Sequence, residues 1–298
     1  MIRVIGAPVD SSGRSGPGPL ASGCASAPRV LREEGLIEAL GAVDAGDLMV
    51  SITSTERDPS TGVIGWSDVA GANYMTREAV VSALHAGDLP VVIGGCCSVL
   101  PGALAGARDA LGVVGLAYID GHLDSYDGAT SPTGEAADMP VSVVLGHGPE
   151  SWVDLLAAPL VAPDAIALLG PRDRATARHE GAVMPEELGA SSELTPDDLR
   201  DLGMERAGHD TEIQLTTSAE NFWVHVDIDV LSTEAMPATD YLQSGGLTWD
   251  ELEALLVPLT SSAACVGLSL GCFNPDKITG KNVSSERLIS LLVRALRE

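Results

Sequence analysis

Lysine is nearly missing from this chain: Lys277 and Lys281 are its only two. Arginine supplies most of the positive charge, and 17 basic against 42 acidic residues leave a formal charge of -25. Such a surface repels phosphate backbones and anionic lipid, which excludes nucleic acids and membrane surfaces as partners. Cysteine is sparse and odd in number, with five in 298 residues (Cys24, Cys96, Cys97, Cys265, Cys272). That excludes a secreted disulfide framework and fits a reducing compartment. No apolar run approaches the roughly 20 residues of a membrane span. No charged-then-apolar leader precedes the first strand-like segment, Ile2-Arg3-Val4-Ile5-Gly6, so a cytoplasmic location is expected. The glycine- and proline-rich stretch Ser12-Gly13-Arg14-Ser15-Gly16-Pro17-Gly18-Pro19 is not followed by Gly-Lys-Ser/Thr, and no G-x-G-x-x-G opens a helix. It reads as a surface loop, not a phosphate cradle.

What is present is a hydrophobic content of 45% with 20% charged residues, the balance of a globular enzyme-sized protein. Strand and helix signals alternate along the chain. Strand-like runs occur at 2–6, 48–52, 89–93, 115–119, 165–169, 222–229 and 264–270. Helices are expected from Ala27-Pro28 through Ile37, over 74–85 with Gly87 closing the end, through 104–110, over 135–145, from an N-cap at Thr248, and over 284–296. Residues 175–218 read as a polar, peripheral region with helical patches. With no linker and no repeat, residues 1–298 form one doubly wound α/β domain.

Chemistry collects at the ends of two apolar runs. Gly115-Leu116-Ala117-Tyr118-Ile119 runs into Asp120-Gly121-His122-Leu123-Asp124, and in open α/β sheets ligands gather beyond the carboxyl ends of strands. If the segment stays extended, positions 120, 122 and 124 point to one side. The alternative is a solvated acidic loop with a surface histidine. The second run, Phe222-Trp223-Val224-His225-Val226-Asp227-Ile228-Asp229, carries aspartates at alternate positions, with His225 on the same side. Buried carboxylates are costly unless paired, hydrogen-bonded or bound to metal. Two such ends offer enough carboxylate and imidazole donors for a two-metal site.

A third end, Gly94-Gly95-Cys96-Cys97-Ser98, brings out a resemblance. The three segments stand in the order and rough spacing of the arginase–agmatinase (ureohydrolase) superfamily, whose motifs run G-G-D-H-S, D-A-H-x-D and S-x-D-x-D. Gly6-Ala7-Pro8, Pro28-Arg29-Val30-Leu31-Arg32, Gly245-Gly246-Leu247-Thr248 and Asn274-Pro275 resemble further family segments, so the likeness spans nearly the whole chain. It implies an arginase-like three-layer α/β/α fold with a mostly parallel central sheet. It also implies two divalent metals, manganese foremost. Cys97, Asp120, Asp124 and Asp227 would hold one ion; His122, Asp120, Asp227 and Asp229 would hold the other, with Asp120 and Asp227 bridging. The implied activity is hydrolysis of a C–N bond in a guanidino or related amidino compound, with Asp124 accepting a hydrogen bond from the attacking hydroxide. A small-molecule substrate and a homo-oligomer, trimer or hexamer, are implied as well.

The departures from the family pattern matter equally. Cys97 stands where the family has a histidine ligand, and Cys96 where it has an aspartate. A thiolate is softer and shifts preference toward zinc, iron, cobalt or nickel, unless Cys97 is simply a small buried residue. The family's proton-shuttling histidine falls on Ala137, leaving Glu135, Asp138 and His225 as candidates for that role. His225 occupies the family's serine position and is either near the metals or a structural histidine. Cys272 falls where guanidine-hydrolysing members carry a glutamate, so a charged guanidinium loses its ion-pair partner. A hydroxyguanidine or formimino substrate suits that position better than plain arginine. Asp173 is a candidate for contact with a substrate amino group, or a loop cap. Two other readings stay open: an amide hydrolase using the same metals, and a non-catalytic relative that binds a metabolite.

Overall fold

The computed structural model describes residues 1–11, 23–190, 192–278 and 283–297; the run at 12–19 expected as a surface loop lies outside the described residues. Eight strands form one sheet: β1 Ile2–Ala7, β2 Val43–Asp47, β3 Leu89–Gly94, β4 Val114–Ile119, β5 Ile166–Leu169, β6 Glu193–Leu194, β7 Asn221–Asp227 and β8 Cys265–Gly271. Their order is β2-β1-β3-β8-β7-β4-β5-β6, and every pairing is parallel.

The strand sequences explain why both faces are covered. In β4, Leu116 and Tyr118 enter one core while Ala117 and Ile119 enter the other; Val92 of β3 faces opposite to Val91 and Ile93. Parallel strands buried on both sides read as unbroken apolar runs, which is how these stood out in the sequence. Helices Trp66–His85 and Leu100–Leu111 cover one face. Helices Ala27–Glu33, Leu36–Leu40, Met204–Ser218, Trp249–Thr260 and Val283–Arg297 cover the other. The result is the three-layer α/β/α arrangement with an all-parallel sheet. Among the described residues no helix is long and apolar enough to cross a membrane.

Several boundaries differ from the sequence reading. The helix expected from Ala27 through Ile37 breaks in two, because Gly35 takes a left-handed φ of 92° between its halves. The strand expected at 48–52 lies earlier, at Val43–Asp47: the edge strand is polar and is held by parallel pairing to β1 and by Arg32, which binds Asp44 and Asp47. The hydrophobic residue that misled the pattern, Ile52, packs beside Gly65 instead. The helix expected from 74 begins at Trp66, eight residues sooner. β6 was not anticipated, being only two residues long. Thr248 caps its helix as expected, its side chain accepting from the Glu251 N–H in a full capping box.

Candidate metal centre

The carboxyl ends of β3, β4, β7 and β8 meet at one place. At the tip of β3, Gly95 N donates to Ala7 O and Cys96 N to Val9 O, tying the turn to the end of β1. The approach is close: a Cβ on Gly95 would lie 2.0 Å from Val9 O, so only glycine fits. Cys96 turns away, its sulfur 3.2 Å from Ser11 Oγ and 3.0 Å from Ser98 Oγ. Cys97 turns inward. Its Sγ lies 2.7 Å from Asp227 Oδ2, 3.6 Å from Asp120 Oδ2 and 3.7 Å from the Cys272 sulfur.

At the tip of β4 the chain does not stay extended. Asp120 Oδ1 accepts from His122 N at 2.7 Å, Leu123 N donates to Asp173 Oδ1 at 3.1 Å, and Asp124 sits at φ 45°. Simple alternation therefore does not hold for 120–124; a turn braced by Asp120 and Asp173 places these side chains. The tip of β7 departs in the same way. The strand stops at Asp227, whose Oδ1 accepts from Asp229 N at 2.8 Å and winds 228–230 into a 3-10 turn. That turn, not strand periodicity, places Asp229 3.2 Å from His122 Nδ1. Arg172 holds the turn from behind, donating to Asp229 O at 2.7 Å.

The donor atoms gather in three overlapping groups, each within 4.8 Å: Asp120 with His122 and Asp229; Cys97 with Asp227 and Cys272; Cys97 with Asp120 and a ring nitrogen of His225. Beside them opens a cleft of about 320 Å³ whose lining includes Cys97, His122, Asp124, Asp227, Asp229 and Cys272 together with Tyr126, Glu135, Ala137, Asp138, Asp173 and Tyr241; Ala137 packs against the cysteines. Glu135 accepts from Tyr241 Oη at 2.6 Å, and Asp138 accepts from Ser131 and Thr133. His225 does not line the cleft; it is fully buried, with Nδ1 2.7 Å from Ser269 Oγ and Nε2 lacking a hydrogen-bond partner.

Electrostatically the centre is short of positive charge. Burial, reinforced by neighbouring carboxylates, raises Asp120, Asp124 and Asp227 above the usual aspartate range. Burial works the same way on Asp229, but the charge and hydrogen bond of His122, with Arg172, hold it below. Burial opposes the charge on His122, yet Asp229 and Asp120 raise it well above its ordinary value. Burial takes His225 down to about 3, so its ring is neutral. Asp138 and Asp173 are each pushed up to about 6, chiefly by burial. A buried cluster of four aspartates, an imidazole set between Asp120 and Asp229, and one unpartnered imidazole nitrogen has the chemistry of a divalent-metal cage.

A profile of the Arginase family matches residues 1–296. The chain belongs to the arginase family. Members of this family hydrolyse C–N bonds. It is 28% identical over 277 residues to the arginase of Eremothecium gossypii, covering 86% of this chain and 66% of that longer protein. The arginase of Bacillus caldovelox superposes with a TM-score of 0.85 at 24% identity, covering 100% of this chain and 98% of the other. A formimidoylglutamase of Bacillus subtilis superposes with a TM-score of 0.72 at 17% identity, covering 100% and 87%.

Three contacts of the centre went unread in the sequence: Tyr118 donating to Asp124, Tyr241 to Glu135, and Arg172 to the 229–231 carbonyls. A signal existed for the tyrosines. The chain has four, and Tyr118, Tyr126 and Tyr241 all stand at this site.

Proposed function

We propose that this chain is a binuclear metal-dependent amidinohydrolase acting on a guanidino or related amidino compound other than plain arginine. The observation that carries the reading is the gathering of Asp120, His122 and Asp229 donor atoms within 4.8 Å of one another, beside a cleft that Asp124 and Asp227 also line, in a chain of this family. Asp120, Asp124, Asp227 and Cys97 would hold one divalent ion, and Asp120, Asp227, Asp229 and His122 the other. Such a pair, when bound, lowers the pKa of water toward neutrality and so supplies the nucleophile; manganese suits the oxygen donors, zinc, iron, cobalt or nickel the thiol.

The chain's own residues do the rest. Tyr118 anchors one oxygen of Asp124, leaving the other to align the attacking water. The departing amine needs a proton, and Glu135 and Asp138 stand on the cleft wall on either side of Ala137. Asp173 braces the 120–124 turn through Leu123 and also reaches the cleft, where it can meet a substrate amino group. Cys272 gives the cleft no carboxylate for a guanidinium, which favours a less basic hydroxyguanidine or formimino group; an amide on the same metals is the nearest alternative. The sparse, odd set of five cysteines supports a cytoplasmic location. A trimer or hexamer is the assembly the family resemblance favours.

One observation favours a second reading: Ala137 and Cys272 replace two reactive family residues, as in a relative that binds a metabolite without turning it over. Metal analysis of protein purified without chelator, followed by a screen for urea, hydroxyurea, formamide and ammonia release across a guanidine and amide panel, separates the two. Fewer than about one ion per chain, with no rescue by manganese, cobalt or zinc, would favour binding alone.

A further inference from the structure

The metal-centre reading treats Cys97 as a substitute for a lost histidine and Cys272 as a substitute for a lost carboxylate. Their geometry joins them. The two sulfurs lie 3.7 Å apart. Two thiolates bound to one tetrahedral zinc at about 2.3 Å each stand about 3.8 Å from one another. Asp227 completes the group, with a carboxylate oxygen within 4.8 Å of both sulfurs. All three side chains are buried and all three line the cleft, so an ion can reach them.

The backbone fixes this pairing. Cys272 follows directly on β8, and its N–H donates to Gly95 O at 2.8 Å, stapling it to the turn that carries Cys97. Cys272 is also one of only three non-glycine residues at positive φ among those described, at 64°. Left-handed backbone is uncommon for a side chain of this kind and is retained where the surroundings over-determine it. Here it aims the sulfur back across the strand ends at Cys97. Cys96, whose sulfur is taken up by Ser11 and Ser98, has no such aim.

We propose that Cys272 is a metal ligand, forming with Cys97 and Asp227 a thiophilic half-site that prefers zinc to manganese, beside a harder half-site of Asp120, His122 and Asp229. The proposal rests on the metal-centre reading and deepens it. The centre becomes asymmetric, with a soft ion on the β3–β8 side and an oxygen- and imidazole-bound ion on the β4–β7 side. Binding releases the two thiol protons to solvent and leaves two zinc–sulfur bonds. His225, whose Nε2 has no hydrogen-bond partner and one of whose ring nitrogens lies within 4.8 Å of the Cys97 sulfur, offers a donor for a further position. Cys272 is then unavailable to a substrate, and the cleft recognises its substrate without a free anion at that position.

The test is X-ray absorption on the whole chain loaded with one zinc per chain, followed by exchange against manganese. Two sulfur neighbours at about 2.3 Å are expected in the wild type. One is expected in Cys272→Ser and one in Cys97→Ser. Zinc should resist exchange by a large excess of manganese in the wild type and exchange at least about tenfold more readily in Cys272→Ser. One sulfur in the wild type would overturn the role of Cys272 while leaving the centre intact. Failure of the wild type to retain zinc, manganese or cobalt at all would overturn the centre as well. The wild-type sulfur count decides even if a variant does not fold.

Discussion

Tyr118 and His225 stand side by side in the register of β4 and β7, their rings 5.1 Å apart and inclined by 21°. His225 is next to Ser269 of β8 in the same row, and Ser269 Oγ also accepts from Trp223 Nε1. This buried polar row underlies the proposed metal centre, and Tyr118 links it to that cluster through Asp124.

Tyr118→Phe keeps the ring and its stacking but removes the hydroxyl that holds Asp124. A hydrogen bond to a charged group contributes about 1.5–3 kcal/mol, so turnover should fall by about ten- to a hundredfold in a folded protein. Steady-state kinetics with circular dichroism checks this; wild-type turnover would exclude an orienting role.

Asp124→Asn should remove most activity, by at least about a hundredfold, because an amide neither accepts on both sides nor carries the charge that aligns water. The variant should remain folded, since an uncharged group relieves the burial that now raises the Asp124 carboxyl. Thermal unfolding and turnover, measured together, separate loss of chemistry from loss of structure.

Gly95→Ala should be costly although it adds one methyl group. The new Cβ would meet Val9 O at 2.0 Å and Val9 C at 2.6 Å, both backbone atoms that cannot swing aside. A loss of about 3 kcal/mol is expected, with weaker metal retention because Cys97 rides on the same turn. Denaturant titration gives the first and metal analysis the second; a variant as stable as the parent would show that the β1 and β3 ends have slack.

Asp138 gives a pH dependence with a definite sign. Its carboxyl is raised from 3.8 to about 6 in the folded protein, so the folded state holds a proton that the unfolded chain has released. Its contribution is fully present below the ordinary value and is lost as pH rises through about 6. Asp138→Asn removes this pH dependence. The variant should gain stability relative to wild type between about pH 4 and about pH 7, and a pH-independent difference between their unfolding free energies would contradict it.

Divalent metal should stabilise the fold. Any ion that binds only the native state contributes about 2.7 kcal/mol at a hundred times its Kd, and relief of carboxylate repulsion acts in the same direction. A thermal-shift series with zinc and manganese, reversed by chelator, reads this out. No shift at saturating metal would place the donor cluster outside metal chemistry.

The strands that carry the site were legible because their apolar runs end in residues too polar to bury alone, at 120–124 and at 227–229. What escaped the sequence was local geometry created by side chains. His122 and Asp229 meet because Asp227 winds a turn, where strand alternation alone would have argued for the wrong reason. Glu135 and its partner Tyr241 are 106 residues apart, and no local pattern announces such a pair. The edge strand β2 was missed because its stability comes from backbone pairing and Arg32, not from a hydrophobic signature.

The strand order also dictates when the centre can exist. β8, the last strand in the chain, sits between β3 and β7. Until it inserts, Cys97 belongs to one fragment of sheet and Asp120, Asp124, Asp227 and Asp229 to another, each with an apolar edge unpaired. A nascent or truncated chain ending before Cys265 therefore cannot assemble the complete cage, and it would be prone to clump through those two open margins. The keystone arrives last, and the donor cluster is whole only with it.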